Sequence, residues 1–277
     1  MSQRDLSQTG RSLTMTRRHV LHLSGAAAVG SFAGLRSLAA SAADGSKPFP
    51  WIGTKFTPDG QVLRCPGNTI ICHIEPSNPA TAPLAAFRAA LEAEPYAHKF
   101  TFTPPSSYHM TVFEGVIDFN RKPSLWPADL PLDASVEACN RLFIEKLEAF
   151  DLGCEPRFRM KVLEGDGNVD VRPGAGIYLV PADEAEATKL RGVRDRLSDL
   201  LKLHQPGHDT YKFHTTQTYA IKPLSEIETS RYRAVRRDSI NALAAAMPVL
   251  ELGAPELCLF DDMFAFNPRL YLRPRQL

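Results

Sequence analysis

Two histidines of this chain lie in the same local pattern, His-x-Thr, and that pattern can support proton transfer. His109 is followed by Thr111, and His214 by Thr216. If each segment is a β-strand, the imidazole and the hydroxyl two positions later project from the same face. Two imidazoles can take a proton from an attacking hydroxyl and deliver another to a leaving oxygen. The hydroxyls can then hydrogen-bond the oxygens of the reacting group.

Strand alternation extends this candidate site to four further residues. Ser107 and Phe113 are expected on the face of His109, and Lys212 and Thr218 on the face of His214. Lys212 is a candidate phosphate contact, and a solvated lysine at a strand end is the alternative. Phe113 is a candidate for stacking on a base or ribose, with a place in the core as the alternative.

The pattern alone is not specific, because it also occurs in loops and by chance. His22 with Ser24 and His208 with Thr210 match it as well. What distinguishes His109 and His214 is their position in a repeated order of elements. The interval from Pro76 to His109 is 33 residues, and that from Pro181 to His214 is also 33.

The apolar periodicity predicts the elements that must position these residues. The predicted strands lie at 69–74, 106–116, 157–163, 176–180, 211–221, 256–260 and 263–266, after a β-rich segment at 51–64. The predicted helices lie at 80–94, 134–150, 183–203 and 225–246. Strand, helix and strand thus recur in the same order, which predicts an α+β fold of two β-α-β lobes with helices outside two facing sheets.

The first 43 residues have the three parts of an export signal. Arg17 and Arg18 precede a weakly apolar stretch, and small residues follow up to Ala42 and Ala43. This resembles a twin-arginine leader, which predicts a periplasmic or secreted protein without a stable membrane anchor. The predicted mature part, residues 44–277, is expected to form a single bilobal domain.

Composition and charge exclude several classes of function. The whole chain has a formal net charge of +1, but residues 1–42 hold five basic groups against one acidic group, so the remainder has 27 basic and 30 acidic residues and a net charge of −3. Broad capture of long duplex nucleic acid is therefore not expected. The five cysteines include no Cys-x-x-Cys pair, and the nucleophile elbow, the phosphate-binding loop of nucleotide hydrolases and the dinucleotide-binding glycine pattern are absent.

The histidine motifs, together with the segments Gly53–Phe56 and Gly67–Ile70, resemble the 2H phosphoesterases, in particular a bacterial and fungal branch described as a domain of unknown function. The likeness covers roughly residues 65 to 270. It implies two pseudo-symmetric lobes with facing antiparallel sheets around a central cleft. It also implies metal-independent cleavage of cyclic nucleotides or RNA-end phosphodiesters, with no cofactor. His109 and His214 would be the acid and base, and Thr111 and Thr216 would hold the phosphoryl oxygens.

Two other functions remain open at this level. An exported protein could bind a phosphate ester on this scaffold without turnover, because a fold does not fix an activity. A metal-dependent hydrolase would need a convergence of histidines such as His73, His98, His109 and His214 with Asp261 or Asp262. No ligand spacing typical of a metal site supports the second alternative. The expected partner is a small nucleotide or a short RNA.

Overall fold

The computed structural model describes residues 49–170, 172–174 and 176–275, and all of them belong to one compact unit. The predicted leader at residues 1–43 lies outside the described residues and stays a prediction, as does the boundary that follows it. In the part of the chain that is described, no helix has both the length and the apolar character needed to cross a bilayer.

Within the described residues the chain forms ten strands and five α-helices. The strands are β1 (Gly67–His73), β2 (Phe100–Phe102), β3 (His109–Ile117), β4 (Phe158–Val162), β5 (Ile177–Pro181), β6 (His214–Thr215), β7 (Thr218–Ala220), β8 (Leu250–Leu252), β9 (Glu256–Phe260) and β10 (Asn267–Tyr271). The helices are α1 (Thr81–Glu92), α2 (Val136–Glu148), α3 (Asp166–Val169), α4 (Glu184–Leu201) and α5 (Glu226–Ala246).

The strands form three antiparallel sheets. The first has the order β10-β9-β1-β3, the second β6-β5-β4-β8, and a small third sheet pairs β2 with β7. β1 is buried along almost its whole length, including its polar residues Asn68 and Thr69, whereas β4 alternates between buried and exposed residues. A mixed α/β architecture with antiparallel sheets is therefore confirmed.

The two histidine-bearing strands are edge strands of different sheets. β3 ends the first sheet and β6 ends the second, and residues of the two strands lie in contact with each other. His109 is the first residue of β3 and His214 is the first residue of β6. The contact between two sheet edges is thus what brings the two parts of the predicted repeat together.

The assignment of strands to the two large sheets does not follow their order along the chain. β4 follows the first histidine strand in the chain but lies in the second sheet, between β5 and β8. β9 and β10 come last in the chain and complete the first sheet beside β1. The prediction of a strand at 263–266 is wrong, because the chain turns at those residues and β10 begins at Asn267.

The long helices agree with the predicted ones to within about two residues at each end, and three of them have a side-chain N-cap. Ser135, Asp183 and Ser225 accept hydrogen bonds from backbone N–H groups in the first turns of α2, α4 and α5. Ser225 and Glu228 form a complete capping box. These caps satisfy backbone donors that a helix start would otherwise leave unpaired.

The predicted strand at 211–221 is divided into two short strands of different sheets. β6 pairs with β5, and β7 pairs with β2. Between them the chain crosses over, and Thr103 donates its N–H to the carbonyl of Gln217 at 2.9 Å. Because alternation holds only within one continuous strand, the face of His214 does not extend past this crossing.

The five cysteines are free thiols, and four of them are buried. Burial raises the pKa of Cys65 and of Cys139 to about 11. These thiols are therefore protonated at neutral pH and pack as small apolar side chains.

Candidate active site

A cavity of about 430 Å³ contains both histidines and both threonines of the repeated motif. His109, Thr111, His214 and Thr216 all line it. Its size lies within the range of small-molecule pockets, roughly 300–1,000 Å³. Six aromatic side chains also reach its wall, namely Trp51, Phe119, Tyr211, Tyr219, Phe260 and Phe266. The cavity therefore combines two proton-transfer groups, two hydroxyl donors and several aromatic surfaces.

The two imidazoles are oriented by the same backbone interaction. Nδ1 of His109 lies 2.6 Å from the carbonyl oxygen of Ser107, and Nδ1 of His214 lies 2.9 Å from that of Lys212. A carbonyl oxygen only accepts, so Nδ1 carries the proton in each ring. Nε2 is then the nitrogen that is available to a ligand, and in the neutral ring it is an acceptor.

The environment of His109 favours its neutral form. Burial lowers the pKa of His109 to about 4, and the positive charges of His73, His214 and Lys55 act in the same direction. The hydrogen bond to the Ser107 carbonyl opposes this shift. The ring of Phe266 packs on His109 with its centroid 4.4 Å away. At neutral pH the imidazole of His109 is therefore uncharged and can accept a proton.

A β-bulge in β3 changes which residues face the cavity. Ile71 pairs with Thr111 and Ile70 with Phe113, so Val112 is the extra residue. One extra residue reverses the alternation beyond that point. The prediction that Phe113 shares the face of His109 is therefore wrong, since its side chain is 1% exposed. Glu114 lines the cavity in its place.

The core position of Phe113 is defined by contacts on the other side of the strand. Its ring centroid lies 6.2 Å from that of His208 and 5.9 Å from the guanidinium of Arg194. Tyr108, Met110 and Val112 are also buried, which is the pattern expected for the face opposite His109 and Thr111.

Of the other residues predicted from alternation, Ser107 lines the cavity, whereas Lys212 and Thr218 do not. Ser107 supplies the carbonyl for His109, while its hydroxyl donates to the Pro104 carbonyl at 2.7 Å. Thr218 is 3% exposed and pairs with Phe102 in the small sheet. The alternation argument failed for Thr218 because β6 ends at Thr215, and for Lys212 because it lies before β6 begins.

The cavity wall also carries polar residues that were not predicted as site residues, among them Lys55, Glu114 and Tyr211. Burial raises the pKa of Glu114 and of Tyr211, and a hydrogen bond with Thr111 opposes the shift of the tyrosine. Lys55 lies within the Gly53–Phe56 segment that carried the family resemblance, so the sequence did contain a signal for Lys55. Glu114 reaches the cavity only because of the bulge in β3, and no sequence pattern predicted that bulge.

The residues of the second motif, His214 and Thr216, are held in place by close packing and by a buried arginine. A Cβ atom on Gly176 would lie 2.7 Å from the carbonyl oxygen of Thr215, 3.0 Å from Cδ2 of His214 and 3.1 Å from Oγ1 of Thr216. Arg236, from α5, is 1% exposed and donates to the Gly176 carbonyl at 2.8 Å. The segment before β5 therefore fixes the position of the second motif.

The convergence of histidines that a metallohydrolase would need is not found among the described residues. His98 is bonded to the Pro95 carbonyl, and Asp261 lies by Arg64. Two groups have ligand atoms close enough to hold a metal ion, namely His73 with Glu256 and Cys258, and His208 with Asp195 and Asp209. Neither group contains His109 or His214.

Comparison with known proteins agrees with this architecture. The family model of the 2H phosphodiesterases, described as a domain of unknown function (DUF1868), matches residues 55–168. The crystal structure of a conserved protein of unknown function from Agrobacterium tumefaciens is 30% identical to this chain, with a TM-score of 0.76. The match covers 82% of this chain and 94% of that one. No curated protein matches the chain.

The chain belongs to the 2H phosphodiesterase family. This membership confirms the resemblance seen in the sequence and indicates a hydrolase that acts on phosphoesters. The family match contains His109 but ends before His214. The second motif therefore rests on the geometry of the cavity and on the repeated sequence pattern.

Proposed function

We propose that this protein is a metal-independent phosphodiesterase that hydrolyses a cyclic nucleotide or an RNA-end phosphodiester between two pseudo-symmetric lobes. The observation that carries the proposal is that both imidazoles and both threonine hydroxyls line one cavity. The shared orientation of the two rings, with Nδ1 on a backbone carbonyl two residues earlier, supports equivalent roles in proton transfer.

In this mechanism His109 is the general base and His214 the general acid. The lowered pKa of His109 keeps its Nε2 free to take a proton from the attacking water. The water oxygen forms a bond to phosphorus, and the bond from phosphorus to the leaving oxygen breaks. Protonated His214 delivers its proton to that oxygen. The product is a phosphomonoester, and solvent restores the two protonation states.

Charge on the phosphoryl group is balanced by donors on the cavity wall. Thr111 and Thr216 are placed to hydrogen-bond the non-bridging oxygens, and Lys55 contributes an ammonium group. Each donor stabilises the negative charge that develops as the fifth bond to phosphorus forms. The aromatic side chains around these groups offer surfaces on which a nucleobase can stack.

The test is the hydrolysis of 2′,3′-cyclic nucleotides in the presence of a metal chelator. The wild-type protein is expected to hydrolyse these substrates. The variants His109→Ala and His214→Ala are each expected to lose about 10²- to 10⁴-fold in kcat. His98→Ala is the matched control, because this histidine lies outside the cavity and is expected to retain full activity.

Turnover that survives both substitutions would overturn the acid-base assignment, and turnover abolished by the chelator would overturn metal independence. Binding of the nucleotide by the wild type without any hydrolysis would instead identify an exported binding protein.

A further inference from the structure

A second cavity lies beside the first and is rich in positive charge. It measures about 320 Å³, and Arg191, Arg194 and Lys212 line it. No aspartate or glutamate lies on its wall among the described residues. The aromatic side chains of Tyr178, Tyr211 and Phe213 also line it. Cations and aromatic rings together suit a ligand that carries both a phosphate and a base.

The charges of these cations are not neutralised by close carboxylates. In the described part of the chain, no carboxylate lies within 4.0 Å of the charged group of Arg191, Arg194 or Lys212. Arg194 is 4% exposed and donates to the carbonyls of Val112 and His208 at 2.7 and 3.3 Å. Burial lowers the pKa of Arg194 although Glu114 and Asp195 attract its charge from a greater distance, so an anionic ligand would further stabilise that charge.

An unpaired polar atom belongs to the same wall. His208 lines the cavity and is 4% exposed. Its Nε2 lies 2.9 Å from Oδ1 of Asp195, whereas its Nδ1 has no hydrogen-bond partner. Buried polar atoms are almost always paired in native proteins, so an unpaired nitrogen beside this wall is unusual.

The second cavity is connected to the reaction site through one short segment. Tyr211 lines both cavities, with Thr111 as its hydrogen-bond partner and Arg194 4.1 Å from its ring centroid. The carbonyl of Lys212 orients His214, while the Lys212 side chain lies in the second cavity. The second cavity is thus lined by a residue that lies only two positions before the proposed general acid, His214.

Building on the proposed function, we propose that this second cavity binds the nucleotide that adjoins the scissile phosphodiester. The substrate is then the end of an oligonucleotide rather than a free cyclic mononucleotide. Arg191 and Lys212 bind the phosphate of the adjoining nucleotide, and Tyr178 or Phe213 stacks on its base.

The experiment compares two substrates that differ by one nucleotide, namely uridine 2′,3′-cyclic phosphate and a dinucleotide that ends in the same cyclic phosphate. The wild type is expected to show a kcat/KM about tenfold or more higher for the dinucleotide. The double variant Arg191→Gln and Lys212→Gln is expected to remove that preference. Arg237→Gln is the matched control, because Arg237 is exposed on α5 and lines neither cavity.

The outcomes separate this proposal from the proposed function. Equal kcat/KM values for the two substrates, or a preference that the double variant retains, would overturn the proposed role of the second cavity. Either result would leave the proposed hydrolase activity unaffected. If neither substrate is hydrolysed, the proposed function fails, and calorimetry with a dinucleotide 3′-phosphate still tests the cavity. The proposal then expects one dinucleotide per chain, bound more tightly than a mononucleotide. Two mononucleotides per chain with no advantage for the dinucleotide would indicate a separate nucleotide site and overturn it.

Discussion

The two histidine motifs have the same sequence pattern and the same ring orientation, but the protein around them differs. His109 begins a strand of nine residues, and Phe266 packs on its ring. His214 begins a strand of two residues, and its ring lies near those of Tyr178 and Tyr211. Burial keeps His109 neutral, which suits a base. In the proposed mechanism the two equivalent histidines take different roles, and the burial of His109 suits it to accept a proton.

The largest expected effect separates these two roles by the choice of leaving group. A p-nitrophenyl phosphodiester releases a weakly basic oxygen that needs no proton from the protein. We expect His214→Ala to recover most of its lost kcat on this substrate, while His109→Ala stays impaired by about 10²- to 10⁴-fold. Steady-state kinetics of both variants on both substrates measure this. The opposite pattern of recovery would reverse the two assignments.

A smaller loss is expected from a change that moves only the second motif. Gly176→Ala places a methyl group against the backbone of Thr215 and against the ring of His214. A displacement of about 1 Å can lower kcat by about 10²-fold, so we expect a loss of about 10- to 100-fold. The control is Gly192→Ala on α4, where a Cβ atom meets nothing within 4 Å. Equal activity of the two variants would show that this packing does not set the position of His214.

The pH profile tests the environment of the first motif. Because the base must be neutral, kcat/KM is expected to fall as the pH falls through about 4, the pKa of His109. Phe266→Ala admits water to the ring and should raise this pKa, which moves the acidic limb upward by about one pH unit. Phe119→Ala, which also opens the cavity wall, serves as the control. An acidic limb that stays in place in Phe266→Ala would contradict the role of Phe266 in burying His109.

The smallest effect is on stability. The ordinary pKa of 6.5 applies to His109 in the unfolded chain, and about 4 in the folded protein. Between these values the unfolded state binds the proton and the folded state does not, so stability falls as the pH falls from 6.5 towards 4. The slope from this group is at most about 1.4 kcal/mol per pH unit.

The variant His109→Asn isolates this contribution, because its amide can donate to the Ser107 carbonyl but does not titrate. Urea unfolding at several pH values is expected to give a shallower loss of stability for His109→Asn than for the wild type. Parallel curves for the two proteins would mean that folding does not change the affinity of His109 for protons.

The sequence predicted the local elements well but not how the edges meet. The four long helices follow directly from apolar periodicity, and the structure adds side-chain caps at residues such as Asp183 and Ser225. Thr111 and Thr216 could be placed because each lies two residues after its histidine. Phe113 and Thr218 could not, because a bulge and a change of sheet interrupt the alternation and leave no mark in the residue pattern. Lys55 and Tyr211 reach the cavity from segments outside the histidine strands, which only the folded chain brings near.

The exchange of strands between the two sheets means that neither half of the sequence can act as an independent module. A piece that ended after β4 would lack β9, which pairs with β1, and β10, which pairs with β9. The remainder would lack β4, the partner of both β5 and β8. Co-expressed fragments could regain the cavity only by donating strands to each other. The arrangement therefore links the integrity of the whole polypeptide to the formation of the proton-transfer pair.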